Sequence, residues 1–489
     1  MLFNSHIFML LFLPLLLAGW YFLNWKKKFQ LAQGYLIGMS LWFYAYANLQ
    51  YLWLLLFSCL IGWLLSCVPE KISSEKGKKV LTGVGCVFHL GLLGYFKYSN
   101  FFLENLNTVF HTDFPMLQIL LPVGISFYTF QQLAYLIDRC RGDAPRDSFF
   151  DYLTFMVYFP QLLQGPILLR SEFMEQLKEP ERRRFHAERF SEGIQFFVFG
   201  LAKKVLLADT LAKAVNYGYS NVSMLDSISA LLLAVGYLTE LYFDFSGYCD
   251  MAVGLGKMIG LEVAENFDAP FHSASVKEFW RRWHMTLGRF FTRYVYIPLG
   301  GNRRGKMRTL CNVMIVMLLS GLWHGAAWTF VLWGFLHGVG MIWDNLEHPH
   351  LPKKWMRQAA TFAYVCMTFV FFRAESIAQG MDVLKSIVSL KWNGFVFQMA
   401  SALDLTEFYM ITKALSMKLP GLLSWFWLGI FVVLIAICFR VLSGKKVSGV
   451  VALQKQKGYG RLYPVVLAVL FTWSMISMTG VSEYLYFSF

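Results

Sequence analysis

Charged residues are scarce in this chain of 489 residues, of which Asp, Glu, Lys and Arg together make up only 15%. Soluble domains carry about 25% charged residues, so the composition excludes an ordinary soluble globular protein. Hydrophobic residues make up 57% of the chain and aromatic residues 18%. This balance indicates a polytopic membrane protein. Because no linker-like or low-complexity stretch interrupts it, we expect residues 1–489 to form a single integral membrane domain.

Acidic residues are outnumbered by basic ones, and the formal net charge is +14. In a soluble protein this excess would suggest nucleic acid as a partner. Here the basic residues stand in short clusters between apolar runs, which is the pattern of the positive-inside rule and of contact with anionic headgroups. We therefore expect membrane lipids and no nucleic acid. The first 28 residues lack a basic start and a small-residue cleavage site, which predicts an uncleaved first helix whose C-terminal end is cytoplasmic.

Paired cysteines and the common short catalytic motifs are also missing. The eight cysteines form no C-x-x-C pair and no metal-ligand spacing, so we expect no metal site. The chain contains no Walker A motif, no G-x-S-x-G and no H-E-x-x-H. These absences argue against a P-loop nucleotidase, an α/β-hydrolase and a zinc protease.

Long apolar runs dominate what is present. They predict about 11–13 membrane helices, including re-entrant segments, since one crossing needs about 20 residues. Several runs carry Pro and Gly at their centres, as in residues 158–167. Such residues are tolerated in a membrane where the freed backbone faces protein or a cavity, so we expect the helices to enclose a polar interior. The runs lie near residues 5–23, 35–65, 80–98, 117–137, 190–208, 228–248, 309–343, 359–372, 422–442 and 461–480.

Residues 309–343 contain two histidines and no Asp, Glu, Lys or Arg. Gly321 and Gly325 flank His324, which predicts a break or kink there, deep in the bilayer. His324 is either a general base or a buried, hydrogen-bonded histidine at the kink. In one straight helix His337 would lie about 20 Å further along and about 220° around the axis. We therefore expect His337 to be a packing or supporting residue.

The segment 270–308 combines apolar residues at helical spacing with basic side chains. This pattern predicts an interfacial amphipathic helix whose basic groups reach the headgroups. His284 is then either a second polar group of a reaction chamber or a histidine at headgroup level. Lys203-Lys204 and Arg281-Arg282 are candidates for holding the phosphates of a thioester donor, with snorkelling anchors as the alternative.

One more stretch, residues 242–260, carries carboxylates and glycines at the end of an apolar run. Asp244 and Asp250 lie about 120° apart on a helix, so they are not a simple acid–base pair. Gly247 and Gly254 indicate close helix packing or the approach of the backbone to a ligand.

Taken in order, these motifs resemble the membrane-bound O-acyltransferase (MBOAT) family, and within it the alginate O-acetyltransferase (AlgI-like) branch. The similar segments cover most of the chain. They are LPVGISFYTFQQLAYLIDRCRGD (121–143), YFPQLLQGPI (158–167), GLAKKVLLADTLA (200–212), YFDFSGYCDMAVGLGKMIG (242–260), EFWRRWHMTLGRFFTRYVYIPLGGNRRG (278–305), GLWHGAAWTFVLWGFLHG (321–338) and the C-terminal LYFSF.

The resemblance implies an all-α membrane fold whose helices surround a funnel or tunnel, with a family-essential histidine at His324 and a second family histidine at His284. It further implies a bacterial inner-membrane enzyme that takes an acetyl group from cytoplasmic acetyl-CoA, with no bound cofactor. The acceptor is expected to be an exported polysaccharide such as alginate or cellulose, reached through an extracytoplasmic acyl-relay protein. The alternatives are D-alanyl transfer toward teichoic acid and a transporter without chemistry. The candidate donor-binding residues are Lys203, Lys204, Arg281, Arg282 and Trp283.

Overall fold

Every regular element of this protein is helical in the residues that the computed structural model describes, which are 1–346, 353–442, 446–458, 460, 462–478 and 484–485. No β-strand occurs in those ranges. The prediction of an all-α polytopic membrane protein is confirmed. The similarity of the C-terminal LYFSF lies mostly outside the described residues.

Eleven α-helices precede the longest one in the described chain. They are α1 (Leu13–Trp25), α2 (Phe29–Asn48), α3 (Leu52–Ser66), α4 (Glu75–Leu93), α5 (Ser99–Phe110), α6 (Ile125–Arg141), α7 (Phe149–Val157), α8 (Phe159–Leu162), α9 (Arg170–Lys178), α10 (Ala187–Ala202) and α11 (Asp209–Ser220). Three π-helices extend or join them, at Phe8–Phe12, Gly94–Tyr98 and Lys203–Ala208.

Twelve further α-helices follow in the same described ranges. They are α12 (Ser227–Ile259), α13 (Val276–Arg282), α14 (Met285–Phe291), α15 (Lys306–His324), α16 (Trp328–Asn345), α17 (Lys354–Arg373), α18 (Ile377–Val388), α19 (Phe395–Ser401), α20 (Tyr409–Lys418), α21 (Pro420–Leu442), α22 (Val447–Lys457) and α23 (Leu462–Ser477). A fourth π-helix, Thr292–Tyr296, follows α14 directly.

Six helical stretches of the described chain are long and apolar enough to cross a membrane. They are Phe8–Trp25, Leu49–Lys71, Glu75–Phe110, Ser227–Ile259, Lys306–His324 and Pro420–Val441. The other apolar segments form shorter, more polar or interrupted helices, and the figure of about 11–13 predicted from the sequence counts these as well.

The long helix α12 forms the centre of the structure. It runs for 33 residues, begins with Asp226 as an N-cap that accepts from the Ser229 backbone N–H, and ends at Gly260 with φ +89°. It packs against α10 at two pairs of glycines. A Cβ on Gly254 would lie 2.6 Å from the Gly193 carbonyl oxygen, and one on Gly200 would lie 2.5 Å from that of Gly247. Small residues at a crossing allow close backbone approach, so the packing interpretation of these glycines is confirmed.

Residues 309–343 form most of a helical hairpin. Its two helices, α15 and α16, are separated only by a turn after His324. The predicted break at this position is confirmed. The two helices touch through backbone, since a Cβ on Gly321 would lie 2.3 Å from the Phe330 carbonyl oxygen and one on Gly334 would lie 2.5 Å from that of Met317. These glycines therefore let the hairpin close immediately beside His324.

The segment 270–308 differs from the single amphipathic helix that the sequence predicts. It forms α13 and α14, which are interrupted at His284, where φ is +47°. Its apolar side chains are buried in the protein instead of facing headgroups: Phe279 and Trp283 are each 1% exposed and Leu287 is 2% exposed. The helical periodicity is present, but the apolar face packs against α16 and α17. The left-handed backbone of His284 breaks the helix in two.

Candidate active site

His324 is the last residue of α15 and is 3% exposed. Aromatic rings surround its imidazole: the ring centroids of Trp323, Trp333 and Phe372 lie 4.9, 5.2 and 5.1 Å from its own. The next residue, Gly325, must stay a glycine, because a Cβ there would lie 2.0 Å from the Phe330 ring. The sequence thus places one histidine at the C-terminal end of a helix, inside an aromatic cage.

His284 occupies the break between α13 and α14 in a left-handed backbone conformation, with φ +47° and ψ 52°. A residue with a Cβ adopts this conformation at a cost of about 1–3 kcal/mol, and such outliers cluster at functional sites. The surrounding backbone holds it, since the Trp283 N–H donates to the Phe279 carbonyl at 2.8 Å and the Gly288 N–H donates to that of His284 at 3.1 Å. The side chain is 1% exposed.

The two histidines face each other across a short gap. Their ring centroids are 6.3 Å apart, with an angle of 57° between the ring planes. Trp323 borders both, at 6.0 Å from the His284 ring. The two imidazoles are therefore close enough to belong to one site. The structure therefore brings together the two residues that the sequence singled out as catalytic candidates.

Asn266 holds His284 in place, although no sequence pattern points to Asn266. Its Oδ1 accepts hydrogen bonds from the backbone N–H of Thr286 at 3.1 Å and from the Thr286 hydroxyl at 3.0 Å, and it lies 3.2 Å from Nδ1 of His284. The backbone N–H can only donate, which fixes the orientation of the amide. Nδ1 of His284 must then carry a proton, so Nε2 of the neutral ring keeps the lone pair. Asn266 lies in an irregular loop without periodicity, so the sequence offered no signal for it.

His337 lies nearby, but both of its ring nitrogens are engaged. The Trp280 indole N–H donates to Nδ1 at 3.2 Å, and Nε2 lies 3.0 Å from the Thr368 hydroxyl. That hydroxyl donates to the Val365 carbonyl at 2.8 Å, so it accepts from Nε2–H. These bonds tie α13, α16 and α17 together behind the two facing histidines, in agreement with the supporting role expected for His337.

The predicted donor residues next to His284 lie in different surroundings. Arg281 is exposed. Arg282 is partly exposed and forms an ion pair with Glu278 at 2.9 Å, while it donates to the Asp268 carbonyl at 3.2 Å. Trp283 is 1% exposed and stacks on Phe279 with 5.4 Å between ring centroids. Trp283 is therefore a core residue and not a surface for the donor, which corrects its predicted role.

Lys203 and Lys204 both lie in ion pairs with carboxylates. The Lys203 ammonium forms an ion pair with Asp250 at 2.6 Å, and the Lys204 ammonium pairs with Asp244 and Asp209, both at 2.7 Å. The side chains of Lys204 and Asp244 are 2% and 1% exposed. Carboxylates pair with both cations, which favours a structural role, and the binding of donor phosphates by these lysines stays a prediction.

Two cavities differ in their relation to the histidines. A large cavity of about 1020 Å³ lies between α10–α11 and α21–α23 and is mainly apolar. It includes Lys203 in its wall but neither of the two facing histidines. A small cavity of about 50 Å³ is lined by His324 and Trp323 together with Lys97 and residues 121–127. We assign the chemistry to the small cavity, because it is the one that reaches an imidazole. Within the described ranges, no three His, Cys, Asp or Glu side chains group as metal ligands.

Several known proteins are similar to this chain over much of its length. Residues 141–375, which include both facing histidines, match the model of the membrane-bound O-acyltransferase family, MBOAT. The chain is 35% identical over 423 residues to the peptidoglycan O-acetyltransferase of Helicobacter pylori, covering 80% of each protein. It is 39% identical to the probable alginate O-acetylase AlgI of Azotobacter vinelandii, covering 77% of this chain and 76% of that protein. The teichoic acid D-alanyltransferase of Bacillus subtilis is 28% identical over 52% of this chain.

Proposed function

The chain belongs to the membrane-bound O-acyltransferase family, and we propose that it moves an acetyl group from cytoplasmic acetyl-CoA toward an exported polysaccharide. It is an O-acyltransferase and a multi-pass membrane protein. The observation that carries the proposal is the pair of buried histidines, whose rings lie 6.3 Å apart, with His324 in the wall of a small cavity. Relatives at 35% and 39% identity are named as O-acetyl-transferring enzymes, which supports acetyl as the group transferred.

The proposed chemistry is direct acyl transfer to a hydroxyl. The hydroxyl oxygen attacks the thioester carbonyl carbon, a C–O bond forms and the C–S bond breaks. The hydroxyl proton moves to the His324 imidazole as general base, and the thiolate of the donor leaves and takes up a proton. His284 presents Nε2 or its protonated form toward the same gap. One positioned acid or base contributes about 10²–10⁴-fold to a rate.

The direction of transfer is inferred from the ends of α15, α16 and α17. α15 starts beside Arg303 and Arg304, and α17 starts with Lys354, so by the positive-inside rule this end faces the cytoplasm. α16 ends at the same level, where Asp344 accepts from the Lys277 backbone N–H at 2.8 Å. His324 is the last residue of α15, about 27 Å along the helix from Lys306. Trp333, which packs on His324, lies about 16 Å from Asp344 along α16. The imidazole therefore lies beyond the middle of a hydrocarbon layer about 30 Å thick, on the side opposite to the proposed donor entrance, which suits release of a group to that side.

Arg281 and Arg282 remain the proposed cations of the donor entrance. Both lie on α13, between its cytoplasmic start at Lys277 and the buried His284. Arg281 is exposed, and Arg282 is about one-third exposed despite its ion pair with Glu278. Guanidinium groups bind phosphate in a bidentate manner, so they suit a donor that carries phosphates.

The acceptor and its delivery are inferred from chemistry. The relatives are named for peptidoglycan and alginate, both polysaccharides, and this supports a polysaccharide acceptor. A hydrated polymer would lose its hydrogen bonds to water on entering hydrocarbon depth. We therefore propose a separate extracytoplasmic protein that accepts the acetyl group and passes it on, and an inner-membrane location. D-alanyl transfer is the second candidate, supported only by more distant relatives.

Reconstituted vesicles test this function. The chain is placed in proteoliposomes with labelled acetyl-CoA supplied to one face at a time, and alginate, peptidoglycan fragments or cellulose supplied to the other. His324→Ala serves as the inactive control. Label should reach the polymer only with acetyl-CoA on the cytoplasmic face and with an extract of extracytoplasmic proteins on the other. Efficient labelling of polymer without the extract would show that no relay protein is needed. Transfer from a D-alanyl carrier in place of acetyl-CoA would show that the proposed donor is wrong.

Cysteine labelling tests the orientation in the membrane independently of activity. Arg281→Cys is made in a Cys311→Ser background, because Cys311 is exposed in the native chain. An impermeant thiol reagent should label this cysteine in inside-out vesicles and not in intact cells. Labelling in intact cells would reverse the proposed direction.

A further inference from the structure

Lys97 makes an unusual contact with the end of the helix that carries His324. α4, the π-helix Gly94–Tyr98 and α5 form one helical stretch from residue 75 to residue 110 that is apolar enough to cross a membrane. The π-helical turn widens the backbone locally, and such turns are frequent at functional sites. It brings Lys97 and Tyr98 against the last turn of α15, more than 220 positions away in the sequence.

The contact is made to backbone carbonyls. The last four carbonyls of an α-helix have no partner inside the helix. At the end of α15 the Tyr98 hydroxyl donates to the Leu322 carbonyl at 2.5 Å, and the Lys97 ammonium donates to those of Trp323 and His324 at 2.8 and 2.9 Å. Hydrocarbon supplies no water to replace these bonds. A cation at a helix C-terminus is also stabilised by the helix dipole.

The lack of a carboxylate partner in the described part of the chain is what distinguishes the Lys97 cap. Among the described residues no carboxylate lies within ion-pair distance of its ammonium group, whereas Lys203 and Lys204 each have carboxylate partners. An ionisable group kept inside a membrane segment without a counter-ion is expensive and marks a functional site by default. A neutral donor would satisfy the same carbonyls at lower cost if helix capping were the only requirement.

The position of the Lys97 ammonium group connects this cap with His324. Lys97 and His324 line the same cavity of about 50 Å³. The opposite wall is tight, because Gly124 has φ +80° and a Cβ there would lie 2.4 Å from the Leu162 carbonyl oxygen. Because His324 is the last residue of α15, a small movement of this helix end would change the distance between its imidazole and that of His284.

We propose that Lys97 is a positioning residue for acyl transfer, which holds the α15 C-terminus so that the His324 imidazole stays opposite His284. This inference rests on the proposed role of His324. A displacement of about 1 Å of a catalytic group can cost about 10²-fold in rate, which sets the effect to look for.

The test compares Lys97→Met and Lys97→Arg with an Asn105→Ala control. Asn105 accepts from the Trp328 indole N–H at 2.8 Å, so the control removes another tie to the same hairpin without touching the α15 carbonyls. With purified, monodisperse protein, acetyl-CoA, polymer and the extracytoplasmic extract of the vesicle test, Lys97→Met should lower kcat about 100-fold and leave the donor KM nearly unchanged. Lys97→Arg keeps the charge but not the geometry, and it should restore part of the loss. Asn105→Ala should keep the wild-type kcat.

Wild-type kcat per folded molecule in Lys97→Met would overturn the inference. If Lys97→Met is not recovered folded, Lys97→Arg is the deciding variant. A wild-type kcat in Lys97→Arg would then overturn the inference, because the geometry of the cap would not matter. The double variant Lys97→Met/His324→Ala separates this inference from the proposed function. It should be no slower than His324→Ala alone, since Lys97 acts through His324. Losses that multiply would overturn the positioning role, whereas an active His324→Ala would overturn the proposed function and this inference together.

Discussion

Two buried polar clusters of this protein differ in what surrounds their ionisable groups. In the first, His284 and His324 face each other inside aromatic rings, next to a small cavity. In the second, the lysines at positions 203 and 204 are held by carboxylates of α12 and of Asp209 at 2.6–2.7 Å. Both clusters carry the residue types of an active site, and both lie deep in the fold.

The difference lies in whether the charge is already neutralised. A buried ion pair stabilises the fold only when both partners are present, and it has little capacity left for a ligand. A neutral imidazole can both accept and give a proton, so it suits general acid–base chemistry. Residue type therefore selects candidates, and the surroundings of a side chain decide between structure and chemistry.

The largest expected effect is on catalysis at His324. His324→Ala should lower acetyl transfer by about 10²–10⁴-fold, because the general base is lost. The aromatic cage does not depend on the imidazole, so the variant should insert and purify like wild type. Transfer rates and thermal unfolding in detergent measure the two properties, and retained activity would end the assignment.

Breaking the second cluster should affect stability. Lys204→Met leaves Asp244 buried without its cation, which should destabilise the protein by about 3–5 kcal/mol. Lys204→Met/Asp244→Leu removes both charges and should recover part of that loss. Chemical unfolding measures both. If folded Lys204→Met instead shows a raised donor KM, the lysine binds the donor after all, and the contrast between the clusters is wrong.

Asn266 tests whether the orientation of His284 matters. Asn266→Ala removes the acceptor that fixes the His284 tautomer, and groups that orient a histidine in this way are typically worth about 10–100-fold. Asn312→Ala is the matched control, since Asn312 is equally buried but donates to the Gly301 carbonyl at 2.9 Å. Equal activity in the two variants would show that His284 needs no such partner.

His337 should behave oppositely to His324. His337→Ala removes hydrogen bonds to Trp280 and Thr368 and should destabilise the protein by about 1–3 kcal/mol. Its activity per folded molecule should stay within about tenfold of wild type. A larger catalytic loss than that of His324→Ala would exchange the roles assigned to the two histidines.

The smallest effect is expected at the donor entrance. Arg282→Met loses a partly exposed ion pair with Glu278 and should change stability by no more than about 0.5 kcal/mol. If Arg282 binds donor phosphates, the donor KM should rise about fivefold, which corresponds to about 1 kcal/mol. Arg289→Met is a useful control on the neighbouring helix, because Arg289 pairs with Glu172. An unchanged KM in Arg282→Met would remove this residue from the donor site.

The sequence predicted much of the fold and part of the site. The scarcity of charge and the long apolar runs were enough for the all-α membrane class, because hydrocarbon admits few other folds. Gly321 and Gly325 were enough to predict the break at His324, since the backbone needs them there. The amphipathic helix predicted within 270–308 is not continuous, because periodicity does not show that the apolar face packs on protein or that His284 is left-handed.

What the sequence determined by itself are properties of local stretches: membrane insertion, the position of the helix break and the identity of the two histidine motifs. What only the tertiary structure decided are pairings between distant segments. Asn266 fixes the ring of His284 from an aperiodic loop, Lys97 reaches carbonyls 226 and 227 positions away, and Asp244 closes the site of Lys204. Each depends on how helices cross in space, and helix crossing follows from side-chain packing that no single stretch contains.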